Sequence, residues 1–313
     1  MRELTYIELP AHRNDEGFDH AAFSVKRSLL YVAHTANDAM DIIDCGSNRY
    51  LGSIEGLTGV AGALVSDQAG LVFTSNRGED TVGIFKLGEA GEVRKIPVGS
   101  KPNGLAFDPG RSLLFAANVG ESPMLGSHSV TVVDVERGMA IHEVSVPGRT
   151  RWAIYDPRDD AIYVNIREPA CIAVIEGGRP ERVARTIPIP AVGPHGLELD
   201  PVTGRLFCAC DDARLLIVDP RKDRVLGEIT LSGAPDVIFL DSVLRRLFVA
   251  SGKPGSIDVI DIDTDLPVEV IQTEPGAHTM GFDPVRHRIL ALLPTCHTVS
   301  VFEVDHGETE SKR

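Results

Sequence analysis

The sequence predicts an all-β fold made of seven copies of one unit, and three observations predict it. Apolar runs of four to six residues, each bounded by Gly, Pro, Asp or Asn, recur along the chain, which is the pattern of short strands separated by turns. These runs group in fours, most clearly over residues 105–109, 112–118, 130–134 and 143–147. The group itself then repeats: its Asp-Pro position falls at Ser24, Ser66, Asp108, Asp156, Asp200, Asp241 and Asp283, in steps of 42, 42, 48, 44, 41 and 42 residues. A unit of four strands at this period is one blade of a β-propeller, so the chain reads as a seven-bladed β-propeller with four antiparallel strands per blade.

Taken in order, the blades start near residues 20, 62, 104, 152, 196, 237 and 279, and residues 1–313 form a single propeller domain. The step of 48 into blade four reflects an insertion over residues 119–128. Insertions in a repeat array map to one face, so this loop is either a lid over the channel or a tolerated surface loop. The seventh copy has only three strands, because no fourth follows Val299-Ser-Val-Phe-Glu303. Residues 5–9, Thr5-Tyr-Ile-Glu-Leu9, precede the first copy and have no blade of their own. They are expected to complete blade seven, closing the ring and covering a sheet edge that would otherwise invite aggregation.

Composition agrees and excludes several function classes. The 313 residues include 30 Gly and 20 Pro but only 5% aromatics, which suits a turn-rich chain, while 43% apolar residues suffice for a packed interior. Lys and Arg number 31 against 45 Asp and Glu, a net charge of −14, with no basic block. Nucleic acid and anionic membrane surfaces are therefore poor partners, and a small molecule is the expected one, bound by a monomer or small homo-oligomer. The acidic N-terminus and the lack of an 18-residue apolar stretch predict a cytoplasmic protein. Five scattered cysteines without C-x-x-C spacing argue against a disulfide framework or zinc knuckle. Cys208 and Cys210, two apart on a strand, read as buried thiols on one face.

The phrases Leu30-Tyr-Val-Ala33, Leu247-Phe-Val-Ala250, Pro102-Asn-Gly-Leu-Ala-Phe-Asp-Pro109 and Ile257-Asp-Val-Ile-Asp261 resemble the YVTN-type bacterial β-propeller repeat family, grouped with streptogramin-lyase-like and lactonase-like propellers. The resemblance covers nearly the whole chain. It implies that the first strand of each blade lines the channel and that the link entering it lies at the upper mouth. Five residues before each Asp-Pro position, that link supplies Asp19, Ala61, Asn103, Arg151, His195, Asp236 and His278. A second link on the same face, between strands two and three, supplies His34, Asn76, Arg77, Asn118, Asn165, Arg167, Asp211, Lys253 and His297. Blades five, six, seven and one thus contribute His195, Asp236, His278, Asp19 and His20, an arc of imidazoles and carboxylates suited to Zn²⁺ or another first-row divalent ion and too rich in nitrogen for Ca²⁺. Solvated loop polars or turn caps are the plainer reading of the same residues.

The Asp-Pro residues and the strand-end aspartates read as turn formers on the opposite face, and His142 and His287 as surface residues. No nucleophile elbow, Walker loop or dinucleotide glycine pattern appears. Two functions remain. One is a metal-dependent, lactonase-like small-molecule hydrolase, with His34 as general base, Arg151 and Asn103 on the developing oxyanion, and substrate contacts from Asn76, Arg77, Asn118, Trp152, Asn165, Arg167, Asp211, Lys253 and His297. A streptogramin-lyase-like enzyme at the same site is its nearest variant. The other is a non-catalytic propeller that binds a ligand or partner protein, with Trp152, Met124, Leu125 and Pro294 as a small apolar patch.

Overall fold

The computed structural model describes residues 1–89, 91–121 and 126–304. They form seven four-stranded antiparallel sheets, each with its strands in chain order from the channel outward. The innermost strands are Ala21–Ser24, Val60–Ser66, Pro102–Asp108, Thr150–Asp156, Pro194–Leu199, Pro235–Asp241 and Met280–Asp283. The exception to chain order is blade seven, where the N-terminal strand Arg2–Glu8 is outermost and pairs antiparallel with Thr298–Glu303. This closing strand spans 2–8 rather than 5–9, with a bulge between Glu3 and Thr5. The other secondary structure described is a single 3₁₀ turn at Thr35–Asn37. No helix among the described residues is long and apolar enough to cross a membrane.

The apolar pattern explains this layering. The second and third strands of most blades are buried on both faces, as in Leu113–Asn118 and Ser129–Asp134, because each sheet is covered by a neighbouring sheet on either side. Fourth strands are largely exposed, as in Leu266–Gln272, where only Ile271 is buried. Buried side chains gather into seven clusters, each shared by two consecutive blades, such as the one uniting Phe207, Leu215 and Ile217 of blade five with Ile238, Leu247 and Val249 of blade six. The core is therefore between blades and not within them. The cluster between blades seven and one contains Ile7 and Leu9 beside Leu30, Val32, Leu290 and Val299, so the N-terminal segment completes both a sheet and a core.

Several smaller expectations meet the structure here. The Asp-Pro residues do form turns: Asp108 Oδ1 accepts the Gly110 N–H at 2.8 Å, and Asp241 Oδ1 accepts the Val243 and Leu244 N–H groups. All five cysteines are free, and Cys208 and Cys210 are buried with their sulfurs 3.9 Å apart. His287 is not a free surface residue; its Nδ1 lies 2.6 Å from the nearly buried Asp241 carboxylate, which ties the blade-seven turn to blade six. Of the insertion, residues 122–125, including Met124 and Leu125, lie outside the described residues. Its two ends are joined by Ser127 to Glu121 and by His128 Nδ1 to the Val119 carbonyl.

Candidate functional site at the upper channel mouth

The residues that enter each innermost strand are placed by a recurring bulge. Ladder register slips between Pro102 and Leu105, Thr150 and Ala153, Pro194 and Leu197, and Pro235 and Ile238. The residues inside those slips are Asn103, Arg151, His195 and Asp236, freed from regular pairing and turned toward the mouth, which is what bulges do beside binding sites. Glycine lets neighbouring bulges approach: a Cβ on Gly104 would stand 2.3 Å from the Arg151 carbonyl, so no other residue fits between blades three and four. In blades one and four the same position carries His20 and Trp152, whose rings meet at a tilt of 42° with their centres 4.2 Å apart across the top of the channel.

The centre of the mouth is His195. Its Nδ1 is 2.8 Å from Asp211 Oδ1 and its Nε2 is 2.9 Å from Asp236 Oδ1, and Asn165 holds the backbone beneath it through the His195 and Gly196 carbonyls at 2.9 and 3.1 Å. Burial by itself lowers the pKa of this imidazole, but the Asp236 charge and the two carboxylate bonds outweigh it and hold the group up at about 9. His195 is thus an imidazolium at neutral pH, and in return it keeps the Asp211 and Asp236 carboxyls below the usual range despite their burial. His20 is driven the other way: burial lowers its pKa more than Asp19 and Asp236 raise it. Its Nε2 lies 3.4 Å from Asp19 Oδ1, and Asp19 is ion-paired with Arg77.

Cations surround this pair. Arg167 Nε binds Asp211 at 2.9 Å. Arg151 makes no hydrogen bond or ion pair among the described residues, and its Nε is buried without a partner. Burial and the neighbouring Arg149 lower its pKa, a sign that the guanidinium is incompletely solvated and incompletely neutralised. Asp19, Arg77 and His278 also line a cavity of about 450 Å³ on this face together with Lys101. A second cavity of about 540 Å³ occupies the channel below the His20–Trp152 layer and extends to the turns of the opposite face, reaching Pro109 and Pro201.

The structure brings together Asp19, His20, Arg77, Arg151, Trp152, Arg167, His195, Asp211, Asp236 and His278, although His278 is peripheral, with Nε2 3.7 Å from Asp236 and Nδ1 on the Gly276 carbonyl. Other predicted residues are elsewhere. His34 is fully buried between strands of blade one, bonded to Asp41 at 2.7 Å, and so cannot be a base at the mouth. Asn76 and Asn118 are fully buried and satisfy Thr81 and the Ser129–Thr131 pair, because strand ends inside a stack of blades need side chains to complete their hydrogen bonding. Asn103 is nearly buried with Oδ1 unpartnered. Lys253 is an exposed turn residue, and His297 packs against His12 at 4.3 Å between ring centres.

The expected metal set does not fit the mouth as arranged. Both His195 nitrogens already face carboxylate oxygens, Nδ1 at 2.8 Å from Asp211 and Nε2 at 2.9 Å from Asp236, so neither is turned toward a point shared with His278 or Asp19. Among the described residues no three His, Cys, Asp or Glu side chains already surround a common point as ligands.

Two residues escaped the sequence reading. Arg149 precedes the blade-four strand outside the position compared between repeats. Glu198 lines the channel cavity, where burial pushes its carboxyl up to about 7 even though the Leu199 N–H at 3.0 Å favours the charged form. A signal existed: at this repeat position the other blades carry Ala22, Leu64, Ala106, Ile154, Phe239 and Gly281.

The His195 pKa makes a stability prediction. A group raised from 6.5 to about 9 on folding contributes its full stabilisation below pH 6.5 and loses it as pH rises through 9. That contribution is on the order of 2–3 kcal/mol. Thermal melts from pH 6 to 10 are expected to show a fall in Tm that is much reduced in His195→Gln.

No family model and no curated protein matches this chain. Solved structures do match. A chain of the hydrazine synthase of Kuenenia stuttgartiensis aligns with TM-score 0.81 at 14% identity, covering 95% of this chain and 96% of that one. A chain of a mitotic checkpoint complex aligns with TM-score 0.81 at 9% identity, covering 96% and 91%. Similarity at this level shows the seven-bladed propeller and nothing about chemistry.

Proposed function

We propose that this chain is a small-molecule hydrolase of the lactonase-like kind, acting at the upper mouth on an ester or lactone that carries a carboxylate. Arg151 carries the reading. A half-buried guanidinium with no bond of its own is an incomplete ion pair, and a planar carboxylate completes it in two-point geometry. Arg149 and Arg77 add positive potential around it.

The chemistry follows from two imidazoles whose environments push them apart, an arrangement that separates a base from an acid at one pH. His20, neutral and oriented by Asp19, takes the proton of an attacking water. The oxyanion of the tetrahedral intermediate faces the cationic side of the mouth, and His195, protonated between Asp211 and Asp236, gives a proton to the leaving alkoxide. No step here requires a metal. The resemblance to lactonase-like YVTN-type propellers supports the same reaction class.

The test is a panel of lactones and esters matched in pairs with and without a carboxylate. Turnover is expected for the carboxylate-bearing member, and Arg151→Met is expected to raise KM for it by about 10–100-fold while leaving neutral esters unaffected. No hydrolysis of any member, with or without added divalent ions, would sink the enzyme reading. A second reading, binding without turnover, is favoured by the commitment of both His195 nitrogens to carboxylates. Calorimetric binding of the intact carboxylate compounds, abolished in Arg151→Met and unaccompanied by product, is its signature.

A further inference from the structure

Below the mouth, the channel holds a carboxyl that the hydrolysis reading does not use. The cavity there, of about 540 Å³, has His20 and Trp152 as its ceiling and reaches the turns of the opposite face at Pro109, Pro201 and Ser242. That volume is in the range of small-molecule sites. Between its two ends the wall is largely apolar, with Phe23, Leu64, Ala106, Ile154 and Phe239 among its residues.

Glu198 is the exception in that wall, at a repeat position where every other blade carries an apolar residue or glycine. Among the described residues that line the cavity there is no Lys, Arg or Asp, and no charged side chain acts on Glu198. Its partners are the backbone N–H groups of Leu199, at 3.0 Å, and of Leu240. These donors favour the carboxylate, whereas burial favours the neutral acid and pushes the group up to about 7. A carboxyl so placed lacks a counter-charge. An apolar residue would line the channel without that cost, so the acid points to a ligand that brings the missing charge with it.

We infer that the channel is a second ligand site, which takes a small primary amine with an apolar body. The ammonium bonds to Glu198, and the body lies against Phe23, Trp152, Tyr155 and Phe239. Three features select a cation over a neutral or anionic molecule. The lining offers no protein cation to compete for Glu198, aromatic walls attract cations, and a net charge of −14 draws them to the protein. The Tyr155 hydroxyl is already bonded to Asp160 at 3.2 Å and so does not serve as a second anchor. This site goes beyond the hydrolysis reading and needs neither Arg151 nor His195; the His20–Trp152 layer lies between it and the mouth.

The test titrates the full chain with phenethylamine and, separately, with 2-phenylethanol, its neutral counterpart of the same shape. Trp152 is the one tryptophan in the sequence, so its emission reports on the channel ceiling, and calorimetry gives the affinity. The amine is expected to produce a saturable change in emission with one equivalent bound, and the alcohol to bind about tenfold more weakly or worse. Glu198→Gln is expected to weaken amine binding by about tenfold or more and to leave the alcohol little changed. Ala22→Leu puts into the channel a side chain that blade two already carries at Leu64, and is expected to weaken both ligands by filling the cavity. Circular dichroism establishes that the variants are folded. Asp236→Asn, which alters a carboxylate of the mouth, is expected to bind the amine as the parent does. Absence of saturable binding, equal affinity for amine and alcohol, or amine binding that survives Glu198→Gln and Ala22→Leu but is lost in Asp236→Asn would each overturn the assignment, the last by moving the amine to the mouth.

Discussion

His195→Gln is expected to lower kcat/KM toward a carboxylate-bearing lactone by about 10²–10⁴-fold, the range for loss of a general acid, with strand content unchanged by circular dichroism. Gln keeps much of the shape and can still bond to one of the two carboxylates, but it has no proton to transfer. The pH profile separates chemistry from positioning. In the parent, the rate falls as pH passes about 9, where His195 deprotonates. In the variant that limb disappears, whereas a residue that only positioned substrate would leave it in place. His20→Gln is expected to remove the acid-side limb instead, since His20 must be neutral to accept a proton. Equal loss in both variants with an unchanged pH profile would sink the acid–base assignment.

The second large effect concerns closure of the ring. Ile7 is 3% exposed on the strand Arg2–Glu8 and packs with Leu30, Leu292 and Val299. Ile7→Asp places an unpaired carboxylate in that cluster and is expected to destabilise the protein by about 3–5 kcal/mol. Because the closing strand joins the two ends of the described ring, the damage should reach both blades seven and one. Hydrogen exchange is expected to accelerate first in Thr298–Glu303 and Ala21–Ser24. Exchange that accelerates uniformly around the ring would show that the latch has no local identity.

The fold was legible because each blade is a local matter. Strand alternation, turn residues and the spacing of the Asp-Pro position are all written within about 42 residues, and seven repetitions leave one architecture. The missing strand of blade seven was legible for the same reason, as an incomplete copy beside an unassigned strand. The mouth was partly legible. Counting back from the Asp-Pro position located Arg151, His195 and Asp236, because the bulge recurs at that point in blade after blade.

Counting could not tell which side chains would be exposed, since that depends on contacts between blades. His34 and Asn118 end the second strands of their blades, the place that Cys210 takes in blade five, and both are buried in blade interiors, whereas Asp211 lies one residue further on and reaches His195. His12 was invisible to the repeat because it lies in the crossing segment, which belongs to no copy. The protonation states of His20 and His195 were equally out of reach, for they arise from burial and from charges that ring closure brings together, such as Asp236 of blade six acting on both rings. The sequence by itself determined the number of blades, their strands and the closing of the ring, all products of short-range pattern. Only the tertiary structure decided which polar residues face one another, because those distances are set by ring closure and by the packing of each sheet against the next.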